Sequence, residues 1–192
     1  ARHYVLSTAR AAATLLPAGA RNAVAKPLQG LGPAAGRLDV DWSARPTPAH
    51  PRPVVLIHGT NDTSAAFAEM AAALRSAGHV VFAPDYGRED RSARGRAGGG
   101  GTADIEVSAR EIAAYLDRVR ATTGAELIDL VGHSQGGLHA HLYLTGASAP
   151  EATDPGSLGV PHARHVARVV TLGSTLHGAS PLGRLNAIAR AP

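Results

Sequence analysis

The stretch LVGHSQGGLHAH, residues 130–141, joins an apolar segment to a glycine-rich segment around one serine. Its centre, GHSQG at 132–136, matches the pattern G-x-S-x-G, whose serine sits between a strand and a helix. The flanks supply that context, because ELIDLVG at 126–132 predicts a buried strand and SQGGLHAHLYLTG at 134–146 predicts a helix. A sharp turn there would strain the serine backbone and require the small residues found two positions before and after it. We therefore predict Ser134 as a nucleophile; the alternative is glycine-assisted packing of helix on strand.

The same alternation of strand and helix runs through the rest of the chain. Short apolar runs predict strands, and apolar residues at helical spacing predict helices. The predicted strands are 53–58, 80–84 and 166–173, and the predicted helices are 64–78 and 103–124. This order predicts an α/β fold with a mostly parallel, doubly wound sheet and helices on both faces. Ligands of such sheets bind at the carboxyl ends of the strands.

Two regions are expected along the chain. Residues 1–50 are predicted to form a helical or irregular lead-in, with an amphipathic helix near 9–20 and a Pro- and Gly-rich part from 27 onward. The alternative for 9–20 is a signal peptide, which its short apolar run and Pro17 make a poor match. Residues 51–192 are predicted to form the folded domain. The loop at 87–101 ends in four consecutive glycines, which cost conformational entropy to order. We expect it to form a mobile rim over an apolar cleft.

The composition excludes several classes of function. The chain has 192 residues, a net charge of +4 and a pI of about 10.1, but its arginines are scattered and no basic patch carries interleaved aromatic residues. Nucleic-acid binding is therefore not expected. There is no cysteine, hence no thiolate nucleophile or thiolate metal site. The ten histidines form no H-E-x-x-H motif, and no apolar run reaches the length of a membrane span, so neither a metal site nor an integral membrane segment is predicted.

A second strand end is predicted to complete an acyl-transfer site. HGT at 58–60 follows the strand 53–58 and lies at the same sheet edge as the serine turn. Stabilising the oxyanion of acyl transfer needs two donors, for which we predict the backbone N–H groups of Thr60 and Gln135. The alternative for Thr60 is an ordinary turn. His58 and His133 are expected to be structural, since neither is placed to take the proton of the serine.

These motifs together resemble a known family. The blocks VVLIHGTNDTSAAF, VVFAPDYG, GTADIEVSAREIAAYLDRV, TGAELIDLVGHSQGG and VVTLGSTLHG are similar, in this order, to the bacterial class 2 lipases of the α/β-hydrolase superfamily. The resemblance runs from about residue 50 to 180. It implies a serine lipase or esterase that acts on acylglycerols without a cofactor, with Ser134 as nucleophile and the N–H groups of Thr60 and Gln135 as oxyanion hole. It also implies a secreted or cell-envelope protein in transient contact with lipid. STLHG departs from the family, which tends to carry proline or asparagine before its histidine.

The triad acid and base are not assigned within the chain. In this fold the order is Ser, then Asp or Glu, then His, and one local set obeys it: Ser134, Asp154 and His177. Asp154, in the turn ATDPG, is expected at the opposite sheet edge, about a strand length of 17–20 Å away. His177 is expected at the correct edge, where it would line the site. We expect the acid and the base beyond Pro192, which would leave the strand 166–173 with an unpaired edge.

Three functional hypotheses follow. The first is a serine carboxylic-ester hydrolase, most specifically a lipase that forms an acyl-enzyme on Ser134. The second is another serine hydrolase or an acyltransferase on the same fold, because fold does not dictate substrate. The third is a hydrolase-like binding module without catalysis.

Overall fold

The described strands form one parallel sheet. The computed structural model describes residues 5–6, 36–89, 95, 97–146, 162–174 and 176. The strands are β1 (Val5–Leu6), β2 (Val54–Ile57), β3 (Val81–Phe82), β4 (Ile128–His133) and β5 (Val166–Leu172). They lie in the order β1-β5-β4-β2-β3, and every neighbouring pair is parallel. Sequence order and spatial order differ, as the crossovers of a doubly wound sheet require.

Three helices connect these strands within the described residues. They are α1 (Ala68–Ser76), α2 (Ile105–Thr123) and α3 (Gln135–Thr145), and short 3₁₀ turns precede α1 at Ser64–Phe67 and β5 at His162–His165. Helix α2 ends where Gly124 adopts a left-handed conformation with φ 69°, which glycine accepts without a Cβ clash. The predicted helix 9–20 lies outside the described residues. The predicted α/β class is confirmed.

The sheet buries both of its faces. All four residues of β2 are buried, and successive side chains of a strand point to opposite faces. Val55 and Ile57 pack in one apolar cluster with residues of α2 and α3, and Val54 and Leu56 pack in a second cluster with residues of α1. The wholly apolar sequence of β2 therefore reflects its position between two helical layers.

Strand β5 has a partner that the sequence did not reveal. Val5 of β1 pairs with Val169, and Leu6 pairs with Val170. The expectation that the strand 166–173 has an unpaired edge is therefore wrong for these two positions. Residues 5 and 6 fall in the stretch expected to be a helical or irregular lead-in, and a two-residue strand is too short to produce a periodic sequence signal.

The pairing of β2 with β4 fixes the position of the predicted site. Ile57, the last residue of β2, pairs in register with Gly132. The segment after β2 and the turn after β4 therefore leave the same sheet edge side by side. Gly136 makes this closeness possible: a Cβ there would overlap the carbonyl oxygen of Ile57 and lie 2.6 Å from that of His58. A Cβ on Gly132 would lie 2.5 Å from the nitrogen of Gly137. The predicted need for small residues at 132 and 136 is confirmed.

Gly136→Ala should therefore destabilise the protein more than a glycine replacement in open space. Backbone atoms of β2 must move to admit the methyl group, and we expect a loss of about 3 kcal/mol. This corresponds to a fall in Tm of roughly 6 °C or more for a domain of this size. Gly124→Ala is the matched control, because its Cβ would meet nothing within 4 Å and only its positive φ costs about 1 kcal/mol. Equal melting temperatures for the two variants would contradict the packing argument.

Candidate active site

Ser134 occupies the strained turn between β4 and α3. Its backbone has φ 52° and ψ −119°, and Asn61 is the other non-glycine residue with positive φ in the described part of the chain. Such a conformation costs about 1–3 kcal/mol and persists where its surroundings enforce it. The Ser134 N–H donates to the Leu172 carbonyl at 2.9 Å, and the Gly137 N–H donates to the Ser134 carbonyl at 3.1 Å. The predicted strained turn is confirmed.

The segment after β2 lies directly against this turn. A Cβ on Gly59 would lie 3.0 Å from Ser134 Cβ, so Gly59 and Ser134 are in contact. Thr60 follows Gly59 and is exposed, and Gln135 follows Ser134 and opens α3. Within the described ranges, no acceptor bonds the backbone N–H of Thr60 or of Gln135. The structure thus brings together the three residues predicted from sequence and leaves two backbone donors available beside the serine.

The glycine-rich loop forms a wall of the site. Gly99, Gly100 and Gly101 are buried. Gly100 forms an antiparallel bridge with Asp62, and its carbonyl accepts the Asn61 N–H at 2.8 Å. A Cβ on Gly101 would lie 3.2 Å from Thr60 Cα and 2.8 Å from Gln135 Oε1. These three glycines are packed against the segment that carries the predicted donor, so they form part of the wall of the site; the mobility of the loop stays a prediction.

Three buried rings lie behind that segment. The Tyr86 ring stacks on the His58 ring at a centroid distance of 4.3 Å, and the His139 ring meets Tyr86 edge-on at 5.1 Å. Burial lowers the pKa of His58, and it lowers the pKa of His139 to about 4, so both imidazoles are neutral at pH 7. Burial raises the pKa of Tyr86, which keeps its hydroxyl protonated. We call His58, Tyr86 and His139 the ring stack.

His133 also lies beside the site. Its Nδ1 would be 3.2 Å from a Cβ on Gly59, and burial lowers its pKa. Among the residues that the structure describes, none forms a hydrogen bond with the Ser134 hydroxyl. Neither His58 nor His133 therefore acts as its hydrogen-bonded base here, in line with the expectation. Asp154 and His177 lie outside the described residues, and the lining role of His177 stays a prediction.

A cavity of about 420 Å³ opens next to the ring stack, where Tyr86 and Gly100 line it. Its wall also carries charged residues, namely Arg37, Asp85, Arg88 and Glu111. Arg37 Nε lies 3.5 Å from Asp85 Oδ2, which makes an ion pair at the rim. An acyl chain gains little free energy in a charged lining. This cavity is therefore not the apolar cleft that the sequence led us to expect.

The described residues show neither a metal-binding cluster nor a membrane-spanning helix. They hold no group of three or more histidine, cysteine or acidic residues placed to bind a metal ion. No helix among them combines the length and the apolar character needed to cross a bilayer.

Sequence reasoning missed Tyr86, His139 and the packing of the glycine loop. Tyr86 follows β3 at the same sheet edge as the predicted site, and that position was the available signal. His139 lies five residues after Ser134 on α3, where a buried histidine looks like any other helical residue. In the sequence, the run of glycines indicated a flexible loop. In the structure, the missing side chains let the backbone of this loop pack closely against neighbouring backbone segments.

The chain is similar in sequence and structure to known proteins. A family model described as the alpha/beta hydrolase fold matches residues 52–187. None of the curated proteins matches the chain. Among solved structures, the chain is similar to Thermogutta terrifontis esterase 2 phosphoramylated by tabun, with 16% sequence identity and a TM-score of 0.49. That match covers 84% of this chain and 55% of the other, so this chain spans about half the length of that esterase. Because the family model covers most of its length, the chain belongs to the alpha/beta hydrolase fold family.

Proposed function

We propose that the protein is a serine carboxylic-ester hydrolase, and specifically a lipase that hydrolyses acylglycerol esters through an acyl-enzyme on Ser134. The observation that carries the proposal is the strained Ser134 turn in contact with Gly59, with the unbonded N–H groups of Thr60 and Gln135 beside it. Membership of the alpha/beta hydrolase fold family supports the hydrolase class. The narrower assignment to acylglycerols rests on the sequence blocks that resemble class 2 lipases.

The proposed chemistry assigns one role to each part of the site. Ser134 Oγ loses its proton to a base and attacks the ester carbonyl carbon, and the carbonyl oxygen becomes an oxyanion. The N–H groups of Thr60 and Gln135 donate to that oxyanion, where water-excluded donors are most effective. Collapse of the intermediate releases the alcohol and leaves the acyl group on Oγ. Water then attacks the acyl-enzyme and releases the carboxylic acid.

The strained backbone of Ser134 suits this role. A serine within the regular turns of α3 would direct its side chain toward the preceding turn of the helix. The positive φ of Ser134 instead breaks the helix geometry before Gln135 and sets the serine apart from the first turn of α3. The first N–H groups of a helix have no intrahelical acceptor, and the helix dipole adds a partial positive charge there. Developing negative charge near Ser134 would therefore be stabilised without any motion of the protein.

Ser134→Ala in the full-length protein should abolish hydrolysis of p-nitrophenyl esters while the protein remains folded. A fluorophosphonate probe should label the wild type and leave the variant unlabelled. Ser174→Ala is the control, since Ser174 lies at the same sheet edge and its Oγ is 3.4 Å from the Gly132 carbonyl. Labelling that persists at another serine in Ser134→Ala would overturn the assignment. Absence of labelling in the folded wild type would favour the binding-module hypothesis.

Thr60→Pro should lower kcat by roughly 10²-fold or more, because proline has no backbone N–H and one oxyanion donor is lost. Thr60→Ala keeps the N–H, removes the exposed side chain, and should retain kcat within a few-fold. Steady-state kinetics on one p-nitrophenyl ester, with melting curves for both variants, make the comparison. A folded Thr60→Pro variant with near-normal kcat would rule out the Thr60 N–H as a donor.

The lipase assignment is tested by chain length. A lipase should turn over p-nitrophenyl esters and acylglycerols of long acyl chains, and its rate should respond to the presence of a lipid–water interface. Full activity on short, soluble esters together with none on emulsified acylglycerols would keep the ester-hydrolase class and reject the lipase.

A further inference from the structure

His58 makes one hydrogen bond that constrains the predicted oxyanion segment. Its side chain is fully buried, and its Nδ1 lies 2.8 Å from the carbonyl oxygen of Gly59. A carbonyl oxygen can only accept, so Nδ1 must carry a proton and donate it. A neutral imidazole then has no proton on Nε2, and no described residue forms a hydrogen bond with that atom. The contact requires a proton on Nδ1, and burial lowers the pKa of His58 and so favours the neutral ring. Together they specify the neutral tautomer with its proton on Nδ1.

The accepting carbonyl belongs to the same peptide group as the predicted oxyanion donor. The Gly59 carbonyl and the Thr60 N–H lie in one planar unit and, in a trans peptide, point in opposite directions. Holding the carbonyl oxygen on the His58 ring therefore fixes the direction of the Thr60 N–H. Without that bond, the peptide between Gly59 and exposed Thr60 could rotate, since glycine tolerates most backbone conformations.

The neighbours of His58 pack closely against its ring and its backbone. The Tyr86 hydroxyl donates to the His58 carbonyl at 2.6 Å, and its ring stacks on the His58 imidazole with 19° between the planes. Gly100 also packs close to the imidazole, since a Cβ there would lie only 2.9 Å from His58 Cε1. His139 packs against Tyr86 from α3, the helix that Ser134 precedes. The stack thereby connects the nucleophile's helix to the segment that carries Thr60.

We propose that His58 is a positioning residue, whose Nδ1–H holds the Gly59–Thr60 peptide so that the Thr60 N–H is aimed at the substrate oxyanion, with Tyr86 and His139 fixing the imidazole. This proposal rests on the proposed function. It assigns His58 no proton transfer with the substrate. Its role is to lower the cost of organising one donor before the transition state forms.

Two substitutions separate the hydrogen bond from the ring. In His58→Asn the amide nitrogen stands as many bonds from the backbone as Nδ1 does, so it can still donate to the Gly59 carbonyl. In His58→Gln the amide nitrogen stands one bond further, like Nε2, and cannot take that position. Both variants lose the stacking on Tyr86 equally. We expect His58→Asn to keep kcat within about 10-fold and His58→Gln to lose roughly 10²-fold, with KM changed little in either.

A transition-state mimic supplies a second readout. An alkyl trifluoromethyl ketone adds to the serine as a hemiketal oxyanion, so its affinity should fall in His58→Gln in parallel with kcat/KM. The affinity of the matching non-reactive alkyl amide, which forms no oxyanion, should stay the same. Equal kcat losses in the two variants, or parallel loss of ketone and amide binding, would overturn the positioning role while leaving the proposed function intact. If the Ser134→Ala variant hydrolyses esters as fast as the wild type, the proposed function itself is overturned.

A measurement on the wild type covers the case in which the variants do not fold. Long-range nitrogen-15 NMR of the imidazole side chains in the full-length protein distinguishes the two neutral tautomers and the cation. We expect His58 to be the neutral tautomer with its proton on Nδ1 at pH 7. A proton on Nε2 alone would leave Nδ1 with nothing to donate to the Gly59 carbonyl and would overturn the proposal.

Discussion

The close approach of two backbone segments is the constraint on which the site depends. The end of β2 and the start of α3 meet without space for a side chain at Gly136, and Gly59 touches Ser134 in the same contact region. Because packed interiors tolerate little added volume, this contact holds both segments at one separation. Ser134 adopts its unfavourable φ as a result, since the strand before it and the helix after it are both fixed.

The polar groups beneath the site are organised by the same closeness. His58, at 0% exposure, leaves water entirely as β2 ends against α3, and burial of a polar ring is unfavourable unless it is hydrogen-bonded. Its Nδ1 donates a hydrogen bond to the Gly59 carbonyl, and the Tyr86 hydroxyl donates one to the His58 carbonyl. Each hydrogen bond satisfies a buried polar group and at the same time restricts the backbone conformation of the loop that contains Thr60. The same contacts therefore satisfy buried polar groups and, in the proposed mechanism, orient the Thr60 N–H.

Local signals in the sequence predicted much of this arrangement. The apolar run at β2 and the helical spacing in α2 gave the layered fold, and G-x-S-x-G in its strand-to-helix context gave the Ser134 turn. Contacts between residues far apart in the chain could not be predicted from the sequence. Tyr86 and His139 are 53 positions apart in the chain and meet only when the segment after β3 folds against α3, and no local pattern predicts such a contact. Strand β1 gave no signal either, because two residues are too few to show a period.

The central claim is that Ser134 carries the acyl group during turnover. Its most direct test is to mix the full-length protein with a p-nitrophenyl ester, quench in acid during the first turnovers, and map the added acyl mass by peptide mass spectrometry. The account predicts the acyl mass on the peptide that contains Ser134, with its amount matched to a burst of p-nitrophenol. Turnover without any acylated peptide, or an acyl group on a different residue, would contradict it.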